Sequence, residues 1–408
     1  GRYSTDALAS ASFVNNLFNV AIFCCIGFTY GLTPLAGSLF GRKQFKEIGA
    51  VMRTGLWLNI AFSLLVISVM TAIYFNVDRL GQPAHLLPLI RPYFLIYLAG
   101  MLPVTVFNVF AQWSYGINNT RLPMWIILAA NVVNVIGNYV LIYGHLGAPE
   151  LGLTGAGIST LFARLICPVA IMAFFFLKRS NRPYRDGWRE SRVNTKMLRR
   201  IFTISLPVSM QMTFESGSFS FAAIMTGWLG AIPLAAFQIV VIVGTLGFCV
   251  YYSISSAVTI LVANEAGRGD RRAMRCVAWS GYHVMLALMV VSSLIFIFLG
   301  RRLMDAFTDD PAVLAVAYGL IVPLVLYQAG DATQINFAGA LRGTSRVMPM
   351  LWIAFVSYVV VGLPATYLLG FTAGLGAYGI ILSFSVSLFL AGGLFLWFFL
   401  RSTRPGRD

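Results

Sequence analysis

Charged residues are scarce in this sequence. They make up 11% of its 408 residues, whereas a soluble domain usually carries about 25%. Hydrophobic residues make up 58% of the chain, and they are collected in long runs. The composition therefore excludes an ordinary soluble domain and indicates a polytopic membrane protein.

Residues that hold metals or perform covalent chemistry are also few. The three histidines are scattered, and the five cysteines lie in or beside apolar runs, without metal-ligand spacing or an extracellular disulfide framework. The sequence contains no Walker A motif and no paired aspartate-rich motifs, so neither ATP hydrolysis nor magnesium-dependent prenyl transfer is expected. We therefore expect a protein that is not an enzyme and that needs no cofactor.

Eleven apolar segments are each long enough to cross a bilayer as a helix. They lie near residues 7–40, 49–76, 88–116, 123–146, 153–177, 201–228, 232–264, 274–299, 312–341, 348–370 and 374–400. The predicted fold class is thus an all-α polytopic membrane protein.

The net charge of +15 follows from the loops between these segments. Alternate loops and the C-terminal tail together hold 23 of the 29 basic residues. The positive-inside rule makes that side cytoplasmic, and it explains the charge without a nucleic-acid partner. The longest of these loops, residues 178–200, carries nine basic residues. We interpret it as a topogenic linker between two domains.

An internal repeat relates the two halves of the chain. A shift of 226 residues aligns Gly41-Arg42 with Gly267-Arg268 and Pro123-Met124 with Pro349-Met350. The same offset holds over about 135 residues, which indicates duplication of a structural unit. An even number of helices in each copy would give both copies one orientation, with a symmetry axis along the membrane normal.

The repeat also assigns the segment at 201–228 a counterpart that would precede residue 1. We therefore expect two six-helix bundles related by pseudo-two-fold symmetry, of which this sequence holds eleven of twelve helices. The expected domains are an N-terminal bundle over 1–177, the basic linker over 178–200, a C-terminal bundle over 201–400 and a cytoplasmic tail over 401–408.

The segment YQAGDATQINFAGALR at 327–342 holds the most informative polar residue. Asp331 lies near the middle of a predicted span, where a carboxylate costs roughly 2.5–3.5 kcal/mol on insertion scales. Tyr327 and Gln334 share its helical face through the spacing i, i+4, i+7. Two interpretations stay open. Asp331 is either an interhelical hydrogen-bonding residue or part of a cation-binding or proton-binding site.

Glu215 is the second acidic residue deep in a span, and Phe219 follows it by one turn. Both deep carboxylates belong to the second repeat. Burial and a neighbouring like charge favour the protonated form of a carboxyl group, so such a pair can take up and release protons. Carboxylate oxygens equally suit a hard cation such as sodium. Both coupling ions stay open, and a sodium ion held by Glu215 and Asp331 is the metal site that we consider.

Other polar and aromatic residues are candidates for lining a substrate cavity. In the first repeat, Thr105 and Asn108 occupy the positions of Asp331 and Gln334, so that bundle is polar but uncharged. Its amides serve either in interhelical hydrogen bonding or in lining a pore, and aromatic faces attract organic cations. The cavity candidates are Asn108, Gln112, Gln334, Tyr251 and Tyr252.

Several stretches resemble the multidrug and toxic compound extrusion (MATE) family, in particular its NorM-like branch. They are LPVSMQMTFES at 206–216, PLAAFQI at 233–239, LVANEAGRG at 261–269, LYQAGDATQINFAGALRG at 326–343, LTPLAGSLFGR at 32–42 and NVVNVIGNYVLIYG at 131–144. The resemblance covers essentially the whole chain. It implies two six-helix bundles that exchange sodium or protons for organic, mostly cationic compounds by alternating access.

The resemblance also assigns roles to individual residues. By it, the coupling cation would be bound by Glu215 and Asp331, with Tyr327, Phe219 and Gln238 near it. NorM-like proteins place a further acidic residue in their first helix, which would precede residue 1 here. A monomer in the cell inner membrane, with a cytoplasmic C-terminus, is the implied setting.

Two other classes of function stay open at this point. A lipid-linked precursor flippase of the same superfamily would have this architecture, but it usually has more basic residues along its cavity to meet anionic head groups. A membrane-embedded enzyme or receptor is disfavoured by the tandem repeat and by the lack of a catalytic motif.

Overall fold

The computed structural model describes residues 5–79, 84–147 and 149–404. These residues are almost entirely helical, and no strand occurs among them. The chain divides into two compact units, Gly1–Ser209 and Met210–Asp408. The predicted all-α class is confirmed. The predicted linker ends at residue 200, and the observed division falls a little later, inside the helix that begins at Thr195.

The helices of the first unit follow one another with short connections. In chain order they are α1 (Thr5–Thr29), α2 (Leu32–Gly41), α3 (Phe45–Phe75), α4 (Leu87–Gly116), α5 (Arg121–Tyr143), α6 (Gly152–Leu177), α7 (Arg182–Glu190) and the first part of α8 (Thr195–Trp228). Short 3₁₀ turns lie at Val77–Arg79, Ala84–Leu86, His145–Gly147 and Arg179–Asn181.

The second unit holds the rest of α8 and seven further α-helices. These are α9 (Ala231–Arg268), α10 (Arg271–Asp305), α11 (Pro311–Gly319), α12 (Ile321–Gly343), α13 (Met348–Ala354), α14 (Leu363–Tyr367) and α15 (Gly376–Ser402). The backbone is π-helical over Phe355–Gly362 and Leu368–Thr372, on either side of α14. From α13 to the second π-helical segment the chain forms one span, Met348–Thr372.

Each of the eleven predicted spans contains a helix. Within the described ranges, nine helices are long and apolar enough to cross a membrane, or ten if α11 and α12, which meet at 45°, form one span. The segment Thr195–Trp228 is helical as predicted but is not among these candidates. Its first turns are basic, and its interior holds Glu215 and several serines. Glu215 is one of the polar groups that this helix contributes to the second unit.

The helix boundaries follow the sequence repeat. With the shift of 226 residues, α1 and α9 begin at equivalent positions, and so do α3 and α10. A left-handed turn shared by both copies explains part of this register, with Lys43 at φ 61° in the first copy and Gly269 at the equivalent position in the second. Gly269 ends α9 in the left-handed region at φ 79°, and Asp270 then caps α10 by accepting a hydrogen bond from the backbone N–H of Ala273 at 2.8 Å.

The basic stretch at 178–200 contains an ordered helix that packs on the first unit. Gly49 of α3 and Gly187 of α7 let the two backbones meet. A β-carbon at Gly187 would lie 1.9 Å from the carbonyl oxygen of Lys46. Arg53 Nη1 donates to the carbonyl of Ser191 at 2.6 Å, and the indole of Trp188 stacks on Phe110 with centroids 5.8 Å apart. This stretch therefore belongs structurally to the first unit.

Candidate functional site

Helix α12 is held tightly between α9 and α15 because small residues line both contacts. A β-carbon at Gly339 of α12 would lie 2.2 Å from Ser255 Oγ of α9, and one at Gly392 of α15 would lie 3.1 Å from the backbone N of Gln334. Ser255 also donates to the carbonyl oxygen of Ile335 at 2.7 Å. The backbone of α12 is thus fixed on two sides around the predicted site.

Asp331 lies in the middle of α12 and is buried, with 4% of its surface exposed. Its carboxylate accepts no hydrogen bond from the part of the chain that the structure describes. Glu215 of α8 lies near enough for the two carboxylates to interact electrostatically. Tyr251 and Tyr327 are also within electrostatic range of Asp331. Glu215 and Asp331 therefore lie together in one helical unit.

Glu215 is partly exposed and has polar neighbours on two helices. Gln211, one turn earlier on α8, donates from Nε2 to Glu215 Oε2 at 2.6 Å. Gln334 of α12 donates to the same oxygen at 3.5 Å. The guanidinium of Arg342 acts on Glu215 electrostatically. Arg342 is buried in the last turn of α12, although it directly follows the predicted span at 312–341 and so counts among the basic loop residues by sequence.

The predicted helical face of α12 is buried as a whole. Tyr327, Asp331 and Gln334 are 6%, 4% and 1% exposed. The hydroxyl of Tyr327 lies beside Gly244 of α9, and Gln328 Nε2 donates to the carbonyl oxygen of Gly244 at 3.1 Å. The spacing i, i+4, i+7 thus selected residues that do face the interior of the unit.

One aromatic ring joins two of the predicted residues. Phe384 of α15 lies 4.4 Å from Phe219 and 6.0 Å from Tyr327, measured between ring centroids. Phe384 is itself buried, so this small aromatic cluster links the residue one turn after Glu215 to the residue one turn before Asp331. Sequence reasoning missed Phe384, because nothing in the apolar run of α15 distinguishes it from the other phenylalanines.

Tyr358 is a second residue that sequence reasoning missed. It lies in the π-helical segment Phe355–Gly362, where backbone irregularity is common at functional sites. Its side chain is 2% exposed, and its hydroxyl has no hydrogen-bond partner among the described residues. Both Glu215 and Asp331 act on it electrostatically. A tyrosine beside a serine within an otherwise apolar run was the available clue.

Several amide oxygens of this unit are buried without a donor. They include Oε1 of Gln211 and Oε1 of Gln334, whose nitrogens both point at Glu215. No group of three or more His, Cys, Asp or Glu residues with metal-binding geometry occurs in the described ranges. A hard cation here would therefore be bound by two carboxylates together with neutral amide and phenol oxygens, which suits a monovalent ion more than a transition metal.

The remaining candidates of the second unit differ in burial and in the residues that they contact. Tyr251 is fully buried and its hydroxyl is 2.5 Å from Ser292 Oγ. Tyr252 stacks on Phe248, with ring centroids 5.5 Å apart. Gln238 is exposed between buried neighbours on α9 and forms no hydrogen bond within the described residues. Tyr251 is therefore buried within electrostatic range of Asp331, whereas on α9 Gln238 is exposed and Tyr252 is half-buried.

The candidates of the first unit take part in helix packing. Asn108 donates to the carbonyl oxygen of Val104 at 2.8 Å, within its own helix. Gln112 is buried and accepts a hydrogen bond from Thr33. Thr105, at the position equivalent to Asp331, donates to Ser63 Oγ at 3.1 Å. The first unit thus replaces the acidic pair by neutral hydrogen bonds.

Comparisons with known proteins identify the family. The MatE family matches residues 1–140 and 207–368, and the lipid II flippase MurJ family matches the shorter range 89–230. The chain is 30% identical over 398 residues to "Probable multidrug resistance protein NorM" of Bradyrhizobium diazoefficiens, and the match covers 97% of this chain and 85% of that protein.

Solved structures share the fold at lower identity. The eukaryotic MATE transporter AtDTX14 superposes with a TM-score of 0.87 at 17% identity, over 99% of this chain and 91% of that chain. A multidrug resistance MATE family transporter in its outward-facing conformation gives a TM-score of 0.89 at 17% identity, over 98% and 88%. With the matches of sequence and of fold together, this chain belongs to the MatE family of multi-pass membrane transporters.

Proposed function

We propose that this protein is a secondary active antiporter, which couples inward movement of sodium or protons to efflux of organic, mostly cationic compounds. The observation that carries the proposal is the pair of carboxylates Glu215 and Asp331, which interact inside one largely apolar helical unit. The name of the NorM relative, a multidrug resistance protein, supports efflux as the direction of transport.

The acidic pair gives the coupling ion a physical reason to bind. A buried carboxylate is stable when a proton, a cation or a hydrogen-bonding partner compensates its charge. Asp331 accepts no hydrogen bond from the described residues, and the charge of Glu215 repels it when both are ionised. A proton or a sodium ion at the pair removes that repulsion and stabilises the conformation in which the two side chains are close.

Alternating access needs nothing more than two states with different affinities. If the ion stabilises one state and the organic compound the other, a gradient of the ion drives the compound across the membrane. The carboxylates need not touch the transported compound. We propose an inner-membrane location, and a cytoplasmic C-terminus because the positive-inside rule assigns to the cytoplasm the loops and the tail that hold 23 of the 29 basic residues. It would work as a monomer, since one chain holds both carboxylates.

Transport in proteoliposomes tests the proposal. Vesicles that contain the full-length protein would be loaded with a fluorescent organic cation, and a sodium gradient or a pH gradient would be imposed separately. Efflux should follow one of the two gradients, which identifies the coupling ion. Asp331→Asn should abolish that efflux. Asp309→Asn is the matched control, because Asp309 is exposed in the same unit and forms no ion pair or hydrogen bond in the described ranges.

Full gradient-driven efflux by both Glu215→Gln and Asp331→Asn would contradict the proposal. Efflux that responds to neither gradient in the unsubstituted protein would contradict it as well.

A lipid-linked precursor flippase is the second candidate. The MurJ family match over residues 89–230 favours it, and so does Arg164, a basic residue near the middle of α6 whose guanidinium lies 4.6 Å from the ring centroid of Tyr97. The acidic pair in the second unit counts against it, since anionic head groups would be repelled. Movement of a fluorescent pyrophosphate-linked lipid between leaflets, unchanged by Asp331→Asn, would favour this function over antiport.

A further inference from the structure

A groove of about 490 Å³ runs between α5 and α6 in the first unit. Helix α5 is the least buried of the candidate membrane spans, with 6% of its most apolar stretch buried. Trp125, whose side chain is 64% exposed, forms part of the groove wall. The groove therefore opens toward the surroundings of the first unit, and all the residues that line it belong to that unit.

The two ends of this groove differ in chemistry. Arg121, the first residue of α5, and Lys178, which follows α6, lie at one end. Lys178 Nζ lies 4.5 Å from the ring centroid of Phe174, which holds the lysine over the groove. Neither Arg121 nor Lys178 forms an ion pair within the described part of the chain. Two positive charges at this end thus lack an acidic partner.

The rest of the groove is lined by apolar side chains. On α5 these reach Ala129, and on α6 they reach Ile166. At 1.5 Å per residue, the apolar lining extends about 12 Å from Arg121 along α5 and about 18 Å from Lys178 along α6. One leaflet of the hydrocarbon core is about 15 Å thick. The groove therefore has the length of one acyl chain and a basic end at the level of the head groups.

We propose that this groove binds an anionic phospholipid, with its phosphate between Arg121 and Lys178 and an acyl chain along Trp125 and Ile166. Charge complementarity selects this occupant, because basic pockets between membrane helices bind anionic head groups. A neutral phospholipid would fill the same apolar space but would leave both cations uncompensated. The assignment does not depend on the proposed antiport.

Trp125 provides a direct readout of the occupant. The protein would be reconstituted in phosphatidylcholine vesicles that contain the same mole fraction of either dibrominated phosphatidylglycerol or dibrominated phosphatidylcholine. Bromine quenches tryptophan on contact. The fluorescence of Trp125 is obtained as the difference between the protein and its Trp125→Phe variant. Phosphatidylglycerol should quench this component at a much lower mole fraction than phosphatidylcholine.

Charge substitutions then test the basic end of the groove. Each basic side chain near a membrane surface contributes roughly fivefold to the binding of anionic lipid. Replacing both, in Arg121→Gln/Lys178→Gln, should therefore lower the preference for phosphatidylglycerol by roughly 25-fold. The charge-conserving variant Arg121→Lys/Lys178→Arg should retain most of it. Arg272→Gln is the matched control, because Arg272 is exposed at the start of α10 and does not line the groove.

Three outcomes would overturn the assignment. One is equal quenching of Trp125 by the two brominated lipids, which would mean that the groove takes any lipid. Another is no quenching by either, which would mean that lipid does not enter the groove. The third is an unchanged preference in the doubly substituted variant, with helical content equal to that of the unsubstituted protein by circular dichroism.

Discussion

The hydroxyl oxygen of Tyr327 lies 2.0 Å from the position that a β-carbon at residue 244 would occupy. Because residue 244 of α9 is a glycine, the ring of Tyr327 has room to pack in the interior of the second unit. Tyr327 precedes Asp331 by one helical turn on the same face of α12. The backbone of one helix thus fixes the side chain that flanks the acidic residue on another.

Gly244→Ala is expected to displace the ring of Tyr327 and to weaken ion coupling. Overpacking of a close contact costs roughly 1–3 kcal/mol, and the displaced ring would disturb the surroundings of Asp331. We expect the ion concentration for half-maximal efflux to rise about tenfold, which corresponds to roughly 1.4 kcal/mol. Gly393→Ala is the control, because a β-carbon at Gly393 would meet no atom within 4 Å. Equal ion dependence of the two variants would contradict this account.

Neutralising one member of the acidic pair should change how the coupling ion stabilises the protein. A ligand that binds the folded state raises the unfolding temperature with its concentration. We expect the unfolding midpoint of the unsubstituted protein in detergent to rise as sodium is added or as the pH is lowered. Asp331→Asn should begin at a higher midpoint without the ion, since the repulsion by Glu215 is gone, and should respond weakly to it.

The exposed carboxylate of Asp309 again serves as the control for this measurement. Asp309→Asn should keep the full response to the ion. An Asp331→Asn midpoint that still rises as steeply as that of the unsubstituted protein would show that the ion binds elsewhere.

Tyr358→Phe should weaken ion binding without destabilising the fold. The substitution keeps the ring and removes a buried hydroxyl that has no partner among the described residues. Loss of an unsatisfied polar group costs little stability, so a fall in ion affinity would report its role as a ligand. We expect about a tenfold fall in ion affinity, measured as the ion concentration that gives half-maximal efflux. Tyr282→Phe is the matched control, since its hydroxyl is 3.1 Å from Thr333 Oγ1. The same fall in both variants would contradict a specific role for Tyr358.

Gly187→Ala should release α7 from the first unit. A β-carbon there would lie 1.9 Å from the carbonyl oxygen of Lys46 in α3, and backbone cannot yield as a flexible side chain does. The stretch at 178–200 is rich in arginine and lysine, so limited trypsin digestion reports its docking. We expect cleavage there to become at least about tenfold faster, because the opened state is more populated. Gly319→Ala, where a β-carbon meets no atom within 4 Å, should be cleaved at the original rate.

The sequence by itself determined the helices and the two acidic residues. Apolar runs of sufficient length form membrane helices whatever their partners, because the bilayer leaves the backbone no other way to satisfy its hydrogen bonds. The same reasoning singled out Glu215 and Asp331, since the cost of a buried carboxylate is a property of the residue and its depth. The spacing of Tyr327, Asp331 and Gln334 then indicated their common face.

Only the tertiary structure decided which other groups surround that pair. Tyr358 and Phe384 lie in apolar runs where many aromatic residues look alike, and Arg342 resembled a loop cation. Their places depend on how closely helices approach, and that distance is set by residues such as Gly244, whose partner across the interface is not encoded locally. Long apolar runs fix where helices form, but the close packing of side chains between them fixes which groups share a site.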